Sequence, residues 1–515
     1  MLIMKWKTNH EDRLVAAWEE LREFRTTLTS VGSTPAYTQA DPCRWNKERL
    51  GSQRSLAAKD RTMRWIRPPM KTIRWFRNPW TGVLLLMLSR CLPVYAQDVG
   101  QGAPSPPEQR WNFHFQSTLI GQGVLPFRAE YSGVNSLEPH GEVKDSFSFD
   151  ITAHVRLWRG GELVADVLSW QGYGLSKTTG LAGFPNGEAY RVGKTYPDAF
   201  VSRAYLRETV SLGGGGNPGV DPNTPSDGLG SERRLIMMVG HFPATDVFDK
   251  NSYANDARTQ FMNWAFINNG AWDYPANSLG FTNGASAELH LSSWAARAGI
   301  FQVSRVANGI RMDWSIGDAY SLTAEVERRY APGGHTGTLR LLAYEERAHL
   351  GSYLESLSDP QKISVNGQLG YRSKYGFGIN LDQQIRKDLG GFMRLGWNDG
   401  KNQTWEFTDV DRTASAGLSL KGEAWRRPGD TVGLAAVVNG VSAAHQQFLA
   451  RGGLGITVGD GKLNYGKEEI LEAYYSIASR WGVSISPDFQ FVAHPAYNRD
   501  RGPVSVYAVR FHWEK

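Results

Sequence analysis

From Trp111 to the end of the chain, short stretches of alternating apolar and polar residues are separated by Gly-, Asn- and Asp-rich breaks. The clearest stretch sets Phe147, Phe149, Ile151, Ala153, Val155 and Leu157 against Ser148, Asp150, Thr152, His154 and Arg156. Successive side chains of a strand point to opposite faces, so such a stretch has one greasy and one wet surface. A single copy means a half-buried strand. Repetition to the C-terminus behind an export signal predicts an all-β fold, a transmembrane antiparallel β-barrel with hydrocarbon outside and water inside.

The export signal is internal. Lys71, Arg74 and Arg77 supply a basic n-region, residues 80–88 an apolar core, and Val94, Tyr95 and Ala96 a small-residue cleavage site before Gln97. The apolar run falls short of the ~20 residues that span a bilayer. Residues 70–96 are therefore expected to be removed near Ala96. A Gly/Pro/Gln-rich periplasmic lead-in follows over 97–110, then a barrel domain over 111–515 bound for the bacterial outer membrane. Residues 1–69 precede a signal that belongs at an N-terminus. They read as a mis-annotated or disordered extension, with translation from Met63 or Met70.

Removing the leader changes the charge. Residues 1–96 hold 17 of the 57 Lys+Arg and 8 of the 51 Asp+Glu, so the formal +6 belongs to the leader and the remainder is slightly acidic. No nucleic-acid partner follows. Both cysteines, Cys43 and Cys91, also precede the cleavage point, which leaves no disulfide or thiolate metal site. Nucleophile-elbow, zincin and phosphate-loop motifs are missing after residue 96, so neither enzymatic activity nor a cofactor is expected.

Seventeen stretches qualify as strands, from 111–119 to 504–513 and including 363–371. Single-chain bacterial barrels have even strand numbers, so one stretch is in excess and about 16 strands are expected. Arg159-Gly160-Gly161 and Asn398-Asp399-Gly400 read as tight turns, and other connections are long. A soluble β-sandwich would alternate too. Against it, Trp158, Trp170, Trp397, Trp425 and Trp513 sit near stretch ends on the apolar faces, as interfacial girdles require.

Between Gly240 and Gly284 the period-2 pattern stops. This loop carries Phe248, Phe261, Trp264, Phe266, Trp272 and Tyr274, too aromatic for a solvated tether, and the cavity available to it is the lumen. An inward-folded constriction loop is expected. Aromatic faces mixed with Asp, Asn and Arg suit small carbohydrates, whose C–H faces lie on rings while their hydroxyls need donors and acceptors. The candidate constriction residues are Asp246, Asp249, Asn255, Asp256, Arg258, Trp264, Asn268, Asn269, Trp272, Asp273 and Tyr274. Capping of the loop's own turns is the plainer role for Asp246, Asp249 and Asn251, and Asp256 with Arg258 could simply pair. Strand parity places Arg156, Asp166, Arg203, Arg207, Glu288, Arg297, Glu325, Glu327, Arg340, Arg394, Glu472 and Arg510 on the lumen face. Both signs occur together, so no strong ion filter is expected.

Several stretches resemble the carbohydrate-selective (OprB-type) porin family: residues 254–264, 268–275, 451–455 with 459–465, 472–476 and 494–503. The resemblance covers the barrel and none of residues 1–96. It implies a 16-stranded outer-membrane barrel that passes sugars by diffusion through a polar constriction. The C-terminus departs from the pattern, because Trp513 is followed by Glu514 and Lys515 where relatives end in an aromatic. Sugars, outer-membrane lipid and the barrel assembly machinery are the expected partners, and monomer and homotrimer both stay open. The rival readings are a general diffusion porin and, from another class, a receptor or adhesion barrel. Intact-mass spectrometry of the purified protein is expected to place its N-terminus at Gln97; one upstream of Met63 contradicts the leader assignment.

Overall fold

The computed structural model describes residues 110–515 apart from 189–192, 214–230, 359–362, 367, 369, 408 and 480. The export-signal segment and the extension before it lie outside the described residues. The described residues form sixteen strands: β1 (Trp111–Val124), β2 (Glu142–Trp158), β3 (Gly161–Gly172), β4 (Lys194–Ser211), β5 (Arg234–Phe242), β6 (Thr282–His290), β7 (Trp294–Phe301), β8 (Tyr320–Tyr330), β9 (Gly337–Ala348), β10 (Arg372–Arg386), β11 (Leu389–Asn398), β12 (Arg412–Gly422), β13 (Arg427–Gly440), β14 (Glu468–Ala478), β15 (Val483–Ala493) and β16 (Val504–Glu514). Each pairs antiparallel with its sequence neighbours, and β1 closes on β16 from Gln116↔Glu514 to Val124↔Val506. Closure matters because hydrocarbon offers no partner to a free strand edge.

The outer surface is apolar as the alternation requires. Leu341 on β9, flanked in register by Val326 and Ile379, is exposed, as are Ile151, Val155 and Leu157 on β2. Apart from 212–233, the connections at one end are short, for example 159–160, 291–293, 387–388 and 479–482. At the other end they are long, including 125–141, 243–281 and 441–467.

Three expectations are corrected. Residues 363–371 are the surplus stretch: β9 pairs directly with β10 from Ala348↔Arg372, and no described residue of that stretch is in a strand. Its Val365 is buried instead in a loop cluster with Tyr353 and Phe448. Asn398-Asp399-Gly400 is no hairpin turn, since 399–411 forms a longer loop before β12. The Asn398 amide donates to the carbonyls of Ala271 and Val410 at 3.1 and 3.0 Å, which binds that loop to the lumen contents. Trp170 does not belong to an outer girdle. It shares the inner face of β3 with Asp166 and Leu168 and is buried against Phe200 and Phe281.

The inner wall is mixed. On β9 to β14 it carries Leu342, Tyr344, Phe392, Ala435, Val437, Ile470 and Tyr474 among the buried Lys374, Asn380, Arg394 and Glu472. On β1 to β3 it carries Thr118, Gln122, Ser148, Asp150, His154 and Asp166. Residues 243–281 fold inward and cover the first arc: the Phe261 ring lies 5.0 Å from Tyr474 and 5.5 Å from Phe392. Burying each such aromatic contributes about 1.5–3 kcal/mol toward holding the loop inside, without selecting its seat.

Replacing Leu341 with Arg is expected to destabilise the barrel by about 2–4 kcal/mol, the range for a basic residue near the bilayer midplane. Urea unfolding in lipid vesicles measures it, and an unchanged midpoint would contradict the lipid-facing assignment.

Candidate functional site

Inward-facing charges hold the 243–281 loop on many sides. On β11, Arg394 is fully buried; it pairs with Asp249 at 3.2 Å and donates to the carbonyls of Ala254 and Phe266 at 2.7 and 2.6 Å. On β10, Asn380 donates to the same Asp249 carboxylate at 2.6 Å, while on β8 Glu325 accepts from the Asp249 N–H at 2.8 Å. Arg510 of β16 donates to the carbonyls of Ala257 and Gln260, and Glu472 of β14 accepts from the N–H groups of Met262 and Asn263. Lys374 of β10 reaches Asp273 at 2.9 Å. The Asn263 side chain then caps the short helix Trp264–Ile267 by accepting from the Ala265 N–H.

Two inner-wall glycines allow the closest approach. A Cβ on Gly378 or Gly396 would lie 2.4 or 1.9 Å from the Asn269 amide, which occupies that space. The Asn269 N–H in turn donates to Asp249 at 2.7 Å.

A passage remains on the opposite, polar side of the barrel. A cavity of about 600 Å³ lies between the loop and β1 to β6, lined among others by Thr152, Arg203, Tyr205, Arg207 and Glu288 from the wall. From the loop it is lined by Thr245, Asp246, Lys250, Asn268 and Phe281. Ion pairs bridge it from wall to loop. Arg203 on β4 bonds Asp246 at 2.6 Å and Asp166 at 2.8 Å; Arg258 of the loop bonds Asp150 at 2.7 Å and Glu188 at 2.8 Å. Burial pushes the Asp246 carboxyl up, but the Arg203 guanidinium outweighs it and leaves the group below its ordinary value. The loop side of the passage also presents near-parallel rings, with Trp264 and Tyr274 5.8 Å apart at 29°. A second cavity of about 710 Å³ lies toward the short-turn end against β12 to β16 and shares His114 and Glu514 with the first.

The sequence candidates divide by position. Asp246, Asn255, Asp256, Arg258, Trp264, Asn268 and Tyr274 line the passage, with Arg203 and Arg207 of the wall. Asp249, Asn269, Trp272 and Asp273 are buried away from it, on the anchored side of the loop. Arg297, Glu325, Arg340 and Glu472 also lie off the passage. Arg297 is shared by Glu288, Glu325 and Glu327 at 2.8–3.0 Å, and Arg340 pairs with Glu327 and Asp382. Asp256 does not take the Arg258 guanidinium; its carboxylate accepts from the Arg258 backbone N–H at 2.9 Å. Glu188, Lys250, Tyr205, Phe407 and Trp170 line the passage without having been singled out for it. Of these, Trp170 and Tyr205 carried a usable signal, their shared parity with Asp166 and with Arg203 and Arg207.

A closed sixteen-stranded barrel with an inward loop and an off-axis polar passage defines a porin-type channel. The family model described as carbohydrate-selective porin, OprB family, matches residues 134–514, and the chain belongs to that family. It is similar to Porin AaxA of Chlamydia muridarum, 24% identical over 278 residues that cover 54% of this chain and 51% of that protein. The Chlamydia abortus Porin AaxA is 25% identical over 285 residues, 54% of each chain. The chain thus spans about half the length of the curated relatives it matches. Among solved structures, the high-pH structure of Pseudomonas putida OprB has a TM-score of 0.58 and 15% identity, covering 85% of this chain and 97% of that one, and shows the shared fold. Family and fold are those of passive outer-membrane channels.

Arg394→Met is expected to strand Asp249 and cost about 3–5 kcal/mol, as breaking a buried pair does. The double variant Arg394→Met/Asp249→Asn should recover part of that loss. Thermal unfolding in detergent checks both, and additive losses would contradict the anchoring role.

Proposed function

We propose that the protein is a passive outer-membrane channel that admits small sugars to the periplasm through the passage between the 243–281 loop and β1 to β6. The observation that carries this reading is the composition of that passage. Its guanidiniums are already matched by carboxylates, so it offers spare acceptor lone pairs and fixed donors without a strong net field. Trp264 and Tyr274 add an apolar face beside these groups. Hydroxyls and C–H faces together match a sugar, and weak contacts let it leave as readily as it enters. The concentration gradient drives flow, and no cofactor takes part. Asp246, Asn255, Asp256, Arg258, Asn268, Arg203 and Arg207 supply the polar contacts. Asp249, Asn269, Trp272 and Asp273 act by holding the loop. Residues 70–96 serve as the export signal in this reading, and the assembly machinery inserts the barrel from the periplasm.

Liposome swelling with glucose, a disaccharide and an amino acid of glucose's size tests the proposal. Faster entry of glucose than of the amino acid is expected; equal rates would make the protein a general diffusion pore. Deleting residues 255–274 should widen the channel and remove the preference, and unchanged conductance would refute the constriction role.

A further inference from the structure

We propose that Phe407, carried by the separate 399–411 loop, is a specificity-determining residue of the passage. Its ring extends the aromatic face of Trp264 and Tyr274 into a surface for pyranose rings. The proposal rests on the sugar-channel reading above and adds a second loop and a substrate geometry to it.

Three observations converge on this residue. Its ring lines the 600 Å³ cavity although its segment joins β11 to β12, across the barrel from the wet wall. The ring stacks 4.8 Å from Tyr274 at 27° and lies 5.2 Å from Trp264, which itself stacks on Phe184 at 5.1 Å. Trp264, Tyr274 and Phe407 therefore form one cluster with mutual centroid distances of 4.8–5.8 Å, backed by Phe184 behind Trp264. The third observation is the backbone. Phe407 has φ 49°, in the left-handed region that a side chain with a Cβ enters at a cost of about 1–2 kcal/mol and that Gly or Asn tolerates better. A connector that needed only to turn there would be better served by either. Strain of this kind persists where neighbours over-determine the position, and it clusters at ligand-contacting sites.

The neighbours do over-determine it. Before Phe407, the N–H groups of Trp405 and Glu406 both donate to Asp273 at 2.8 Å, and the Trp405 indole donates to the Ser304 carbonyl at 2.9 Å. After it, Asp409 accepts from the Thr457 N–H at 2.8 Å and its carbonyl accepts from the Tyr497 hydroxyl at 2.6 Å. Asp273 also holds Lys374, so one carboxylate sets the register between the two loops and fixes Phe407 against Tyr274.

Such an aromatic cluster at the edge of the cavity favours a solute with a continuous C–H face. A pyranose with equatorial hydroxyls has one; an open-chain polyol of similar size and hydroxyl content does not. The full-length barrel in planar bilayers gives the test: block of potassium chloride current by glucose and by sorbitol, for the wild type and for Phe407→Leu, Phe407→Asn and Phe407→Trp. The wild type is expected to be half-blocked at a lower glucose than sorbitol concentration. Phe407→Leu and Phe407→Asn should raise the glucose value roughly three- to tenfold, the worth of one aromatic contact, with little change for sorbitol. Phe407→Trp should keep the preference. Phe407 is buried in the core cluster, so both Phe407→Leu and Phe407→Asn are expected to lower the unfolding temperature; a sorbitol half-block value that stays unchanged in the folded channel separates lost recognition from lost structure. A glucose-to-sorbitol ratio unchanged in Phe407→Leu and Phe407→Asn overturns the proposal alone. A wild type without glucose preference removes the sugar-channel reading and this inference with it.

Discussion

The pairing of buried charges across the lumen decides what the rest of the barrel can do. Arg394 has no exposure, so its guanidinium must be compensated inside the protein, and the compensation comes from the 243–281 loop. An exposed ion pair contributes at most about 1 kcal/mol, and a weak contact of that kind would let a loop wander. Removing the partner of a buried ion costs several times more. To leave its seat the loop would strand Arg394, Arg510, Glu472 and Lys374 together. Apolar burial alone is non-directional and could not choose among seats; these groups choose one.

The asymmetry of the channel follows from that choice. The loop's aromatics pack on the apolar side chains of β9 to β14, between the buried charges that anchor it. The cavity of about 600 Å³ lies on the β1 to β6 side, and the second, of about 710 Å³, opens toward the short-turn end. The same loop thus presents two kinds of charge. Asp249 and Asp273 are sealed under it and hold it. Asp246 and Arg258 bridge to the opposite wall along the passage.

How much of this was readable in the sequence depends on the range of the interaction. Strand faces are local: the alternation at Phe147–Leu157 sets inside and outside without reference to anything distant, and sixteen of the proposed stretches are strands. Where neighbours matter, the pattern misleads. Residues 363–371 alternate well, but the register between β9 and β10 leaves no edge for them. Asn398 looks like a turn residue, yet its amide is spent on Ala271 and Val410. Trp170 lies near a strand end, as a girdle residue would, but its parity with Asp166 places it inside. For the site, loop composition announced that residues 240–284 must pack on something. It could not say that Asp246 and Asp249, three apart, face opposite sides. Phe407 had no signal at all, because its role depends on a stack formed with another loop.

Single cysteines test the central claim directly, since both native cysteines precede the expected cleavage point. Thr152→Cys on the polar arc lines the passage, whereas Ser415→Cys on β12 is buried behind the loop. A charged, membrane-impermeant thiol reagent added to the aqueous phase should modify Thr152→Cys and lower the conductance. It should leave Ser415→Cys unmodified in the intact channel. Equal modification of both, or a conductance loss from Ser415→Cys alone, would contradict a loop anchored on the β8 to β16 side.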